Sequence, residues 1–224
     1  MSAGEIGPWG PIVYLTADEL VQLNKPVMGR LSQPGRRLLW SLQGPLSSAI
    51  SVLAEDENPN PDGPREPYFR HGGDGTDRWH PISNEPVTEQ RLTTLTVTEE
   101  NLSGWQDEWW NINGEGFDED AQPAPGDLPP TFEPLVVTAS NGEFVSIHDY
   151  VSAVHPWLMA GREQILRARH VADDHYVPGL VEERLLVVAH DAELVFVVDE
   201  QEWLADLRSN FEENRRRREQ GSAG

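Results

Sequence analysis

Two apolar runs set the first limit on what this chain can fold into. Glu183 to His190 and Glu193 to Asp199 are apolar on both alternating sides, and they meet at Asp191-Ala192. A strand greasy on one side can face water on the other. A strand greasy on both sides must be covered twice. The runs are therefore expected to form a hairpin at the centre of a sheet. Asp199 then caps a closing helix, with Glu202 three residues on and Trp203, Leu204, Leu207 and Phe211 as its inward stripe.

The same reading extends upstream. Leu135 to Thr138 predicts a strand, Asn141-Gly142 a tight reverse turn, and Phe144 to Ile147 the returning strand. Ser146 and Asp149 make a capping box, and Val151, Val154 and Leu158 follow at helical spacing. Pro156 would kink that helix from within, so it is expected to open a second one, which Ile165 and Ala168 continue. Hairpin, helices, hairpin and helix over 132–211 describe an α+β core module: a small antiparallel sheet with helices packed on one face, plus long acidic loops. Arg91 to Thr98 adds a strand, with Leu95 and Val97 sharing a side, and 91–112 packs on the core with its tryptophans. Residues 1–54 read as a segment with short helices, one opened by the Thr16–Glu19 capping box and one over 46–54. Residues 55–90 read as an acidic Pro/Gly-rich loop from which Tyr68, Phe69 and Trp79 tuck back onto a domain. Residues 113–131 are an acidic linker and 212–224 a charged tail.

Charge narrows the function classes. The net charge is −21, and 18 acidic against 4 basic residues fall within 55–131. A chain so acidic repels phosphate backbones and anionic membrane surfaces, so neither nucleic acid nor membrane is expected as a partner. A basic protein partner suits it better. The absence of cysteine excludes disulfides and thiolate chemistry and fits a reducing compartment. Residues 1–10 show no secretory signal pattern. The expected setting is intracellular: cytoplasmic, or nuclear if Arg215 to Arg218 act as a targeting patch. No phosphate-cradling glycine loop is present, and no cofactor is expected.

Residues 134–154 carry a likeness. Val145, Ser146, Ile147, Asp149, Tyr150, Val151, Ala153 and Val154 follow a turn and open a capped helix. This pattern resembles the start of a small domain of unknown function found in fungal proteins. The resemblance implies a hairpin leading into a helix, and it brings no activity or catalytic residue with it.

Three sets of residues could carry chemistry. His71, Asp74, Asp77 and His80 are spaced three apart in a Gly-rich loop and could wrap zinc or manganese. Such residues also populate any hydrophilic loop. His170, Asp173 and His175 could supply the His/Asp couple of a hydrolase, with Ser146, Ser152 or Ser140 as nucleophile. Helix termination explains the same residues. Trp105, Trp109 and Trp110, beside the acidic linker, could anchor a partner protein. With no coherent catalytic set, a non-catalytic interaction or scaffold protein is the expected function. A His/Asp hydrolase or a weak metal-binding protein is the alternative.

Overall fold

The computed structural model describes residues 29–54, 60–72, 76–113, 129, 132–172, 176–177, 184–189 and 191–221. The helix expected after Thr16 and most of the acidic linker lie outside the described residues. A 3₁₀ turn at Gly35–Arg37 leads into β1 (Leu38–Ser41), followed by α1 (Leu46–Ala49), β2 (Ile50–Leu53), β3 (Arg65–Pro67), β4 (Phe69–Arg70) and β5 (Arg78–Trp79). After a second 3₁₀ turn come β6 (Thr94–Glu99), α2 (Glu100–Asn113), β7 (Leu135–Thr138) and α3 (Ile147–Arg169). The chain closes with β8 (Leu185–Ala189), β9 (Leu194–Asp199) and α4 (Glu200–Gly221).

The fold is mixed α+β. Seven strands form one sheet in the order β3-β2-β1-β8-β9-β6-β7, and β4 and β5 pair separately. Every neighbouring pair is antiparallel except β6 and β9, which run parallel. The two apolar runs are β8 and β9, at the middle of the sheet, paired Val187 to Val197 and Leu186 to Val198. Asp191 Oδ1 makes their turn without a glycine, accepting the amides of Glu193 at 3.0 Å and Leu194 at 2.8 Å.

One sheet face belongs to α3. Leu185, Val187, Val195 and Val197 join Val151, Val154, Leu158 and Ile165 in a single core cluster. Ser146 and Asp149 form the expected capping box. The helix then runs unbroken through Pro156. The second helix expected there does not exist. Burying Val151, Val154, Leu158, Ile165 and Leu166 on one face is worth several times the ~3 kcal/mol that an interior proline costs.

The helices do not share one face. Leu186 and Val188 point opposite to Leu185 and Val187, and α4 covers them with Trp203 and Leu207. Asp199 Oδ1 caps α4 as expected, accepting the amides of Gln201 and Glu202. A central strand that is apolar on both sides forces this two-sided cover.

Other expectations change as well. Residues 46–54 split into one helical turn and β2, and β1 and β2 extend the core sheet well upstream of residue 132. Val137 of β7 pairs with Leu95 of β6, while the Val145 amide bonds to the Leu92 carbonyl. The expected 135–147 hairpin is therefore replaced by a pairing distant in sequence. The stretch 55–90 carries three short strands, and Tyr68 within it is fully buried.

Candidate functional site

The site begins where two strands part. β1 pairs with β8 only at Trp40–Val187 and Ser41–Leu186. Leu38 and Leu39 pair with β2 instead. The sheet opens there, and α4 crosses above the gap. The result is a cavity of about 450 Å³, within the usual range for small-molecule sites. Leu31, Leu39, Leu186, Val188, Trp203 and Leu207 are among the residues of its apolar wall.

The 3₁₀ turn before β1 brings arginines to this wall. Ser32 anchors the turn: its hydroxyl donates to the Pro86 carbonyl at 2.6 Å and accepts the Gly35 amide at 3.1 Å. Only glycine fits at Gly35, because a Cβ there would lie 2.9 Å from the Val87 carbonyl oxygen. Arg36 and Arg37 follow, and both line the cavity. Arg36 pairs with Glu89 at 3.1 Å. Arg37 is half-buried, and its Nε donates to the Leu53 carbonyl at 2.9 Å. No carboxylate among the described residues pairs with it.

From the α3 side the cavity is met by Tyr150, which is 2% exposed. Its hydroxyl is buried without a hydrogen-bond partner among the described residues. Burial, with a smaller contribution from the Asp191 carboxylate, pushes this phenol well above its ordinary value, so it stays a neutral donor. An unpaired buried hydroxyl costs about 1–3 kcal/mol. Tyr68 and Thr93 also carry buried hydroxyls without a partner among the described residues, but neither lines the cavity.

His155, on the same helix, shows the opposite outcome. It is 3% exposed and fully used. Trp40 Nε1 can only donate, and it lies 3.0 Å from His155 Nδ1. Nε2 must therefore carry the proton, and it donates to the Gly44 carbonyl at 3.0 Å. Gly44 adopts φ +67°, a left-handed turn that suits glycine. This histidine ties α3 to the end of β1 and is structural.

A second polar set lies over β4, β5 and the start of α3. Phe69 and Trp79 pack with ring centroids 4.5 Å apart, and Trp79 lies 4.6 Å from the His148 ring. His148 Nδ1 stands 3.4 Å from Ser152 Oγ. His71 Nδ1 stands 3.2 Å from Asp77 Oδ1. A serine–histidine pair and a histidine–aspartate pair thus share one surface, but on different histidines with the aromatic rings between them.

The remaining candidates fall apart. His80 is half-buried. Its Nδ1 accepts the Ile82 amide at 3.3 Å, and its Nε2 is 3.7 Å from Glu66 rather than near His71. Burial is the largest influence on this ring and lowers its pKa. Asp74 lies outside the described residues. Among the described residues no group of three or more His, Asp or Glu side chains is arranged to hold a metal. His170 ends α3 and stacks on Tyr176 at 4.0 Å, while Asp173 and His175 lie outside the described residues. Asp149 serves as a cap. Its burial would raise the carboxyl, but hydrogen bonds from Ser140 and Ser146 outweigh that and hold it below the ordinary range. Trp105 and Trp109 are half-buried on α2, and Trp110, 36% exposed, meets Trp109 edge-on at 5.4 Å. No described helix is long and apolar enough to cross a membrane.

Sequence reasoning missed the cavity. Its wall comes from 31–40, 186–189 and 203–207, and Tyr150 reads in sequence as one more large residue on a helix. No family model, curated protein or solved structure matches this chain.

Proposed function

We propose that this chain is a non-catalytic binding protein whose cavity between β1, β8 and α4 takes a small, mainly apolar ligand. The observation that carries the reading is an apolar hollow of about 450 Å³ whose wall carries the half-buried Arg37, which has no carboxylate partner among the described residues. Apolar enclosure with one or two placed polar groups is the usual make-up of a ligand site. Trp40 and Trp203 both line the hollow, so binding should be readable from tryptophan fluorescence. Decanol, a neutral apolar probe, is expected to bind the full-length protein saturably with a Kd of roughly 10–100 µM. Leu207→Trp, which fills the hollow, should abolish the binding. A linear, non-saturating response in the unaltered protein rejects the reading.

A second reading, hydrolase-like chemistry on a His/Asp pair, draws support from His71–Asp77 at 3.2 Å and the neighbouring Ser152–His148 contact at 3.4 Å. It predicts turnover of an activated ester that Ser152→Ala abolishes and Leu207→Trp leaves intact. A partner-protein role for α2 is supported by the exposure of Trp110 and of Ile112, at 41%. The cysteine-free composition supports an intracellular setting.

A further inference from the structure

We propose that the cavity selects an apolar molecule bearing a single carboxylate, and that Arg37 holds that carboxylate. This ligand class rests on the binding function proposed for the same cavity and deepens it. The cationic groups on the wall are Arg36 and Arg37. Glu89 already neutralises Arg36. Among the described residues Arg37 spends only its Nε, on the Leu53 carbonyl, and its terminal nitrogens carry no further hydrogen bond there. A planar fork that is half-buried and lacks a carboxylate partner among the described residues matches one carboxylate bidentately.

The rest of the wall rules between head groups. A dianionic phosphate would bring two negative charges to one guanidinium inside a chain of net charge −21. A primary amine would meet Arg37 directly and be repelled. An alcohol would leave the charge of Arg37 unmatched. Of these head groups, a monocarboxylate is the one whose single charge and two oxygens match the arginine fork. An alkyl or aryl body then fills the space walled by Leu39, Leu186, Val188 and Leu207.

Isothermal titration of the full-length protein with decanoate, decanol and decylamine, below their aggregation limits, tests this. Decanoate is expected to bind about tenfold more tightly than decanol, with decylamine weakest, since charge-assisted pairs are the strong ones. Arg37→Met should erase the decanoate preference, bringing decanoate and decanol to equal affinity, and Arg37→Lys should restore part of the preference. Equal affinity for decanoate and decanol, or a preference that survives Arg37→Met, overturns the proposal while the binding reading stands. If no probe binds, or if the chain self-associates and no probe competes, both fall. Should Arg37→Met not fold, the ratio of decanoate to decanol in the unaltered protein decides alone.

Discussion

On the α3 face Val195 and Val197 are at most 1% exposed and meet Leu158, Ile165 and Val151, all sealed to the same degree. On the α4 face Leu186 and Val188 are nearly as hidden from bulk water, yet they look into a hollow. The covering helices explain the difference. α3 buries nine side chains, Ile147 and Leu166 among them. Beyond its first residue, α4 only half-buries Trp203, Leu204, Leu207 and Phe211, and the rest of its described surface is exposed. A narrow apolar stripe on a highly charged helix can roof a sheet without filling the space beneath it. Polar groups follow the same division: His155 is fully bonded in the packed region, and Tyr150 is unbonded where packing stops.

Truncation should separate the faces most strongly. Leu158→Ala is expected to cost about 3 kcal/mol in urea unfolding, because it opens a void in a packed core. Leu207→Ala should cost less than about 1 kcal/mol, since it enlarges a hollow already present. Equal losses would break the comparison. His155→Leu should cost about 2 kcal/mol, because it strands the Trp40 indole N–H and the Gly44 carbonyl together. Tyr150→Phe should move the other way. It removes a buried hydroxyl with no partner among the described residues, so the protein should gain up to about 1 kcal/mol.

The smallest effect concerns Glu99, fully buried at the end of β6. Burial raises its carboxyl above the ordinary 4.5, and hydrogen bonds from Asn101 and Leu102 offset this only in part. Its folded value therefore exceeds its unfolded one. The contribution is fully present below pH 4.5 and is lost as pH rises through the folded value. Stability relative to Glu99→Gln should fall over that interval, and a flat difference in urea midpoints from pH 4 to pH 7 would contradict the assignment.

What could be read from the sequence was local. The doubly apolar runs, the Ser146–Asp149 box and the Asp199 cap all signal over a few residues, and each appears where its pattern lies. β1 and β2 escaped because each is four residues long, with a single helical turn and a left-handed Gly44 between them. The β6–β9 pairing escaped because parallel strands are joined through distant chain. Pro156 misled because propensity was weighed without the burial that overrides it. The binding site was the least legible part, since a cavity is the shape left between segments and no residue type marks it. His71 and Asp77 do meet, but His80 turns to the Ile82 amide, a local bond that spacing alone does not reveal.

The most direct test follows side-chain methyl signals in NMR while decanol is added to the full-length protein. The account predicts shifts confined to the residues that line the cavity, Leu39, Leu186, Val188 and Leu207 foremost, with Val195, Val197 and Leu158 unmoved. Shifts centred on the α3 face, or no saturable shift at all, would contradict it.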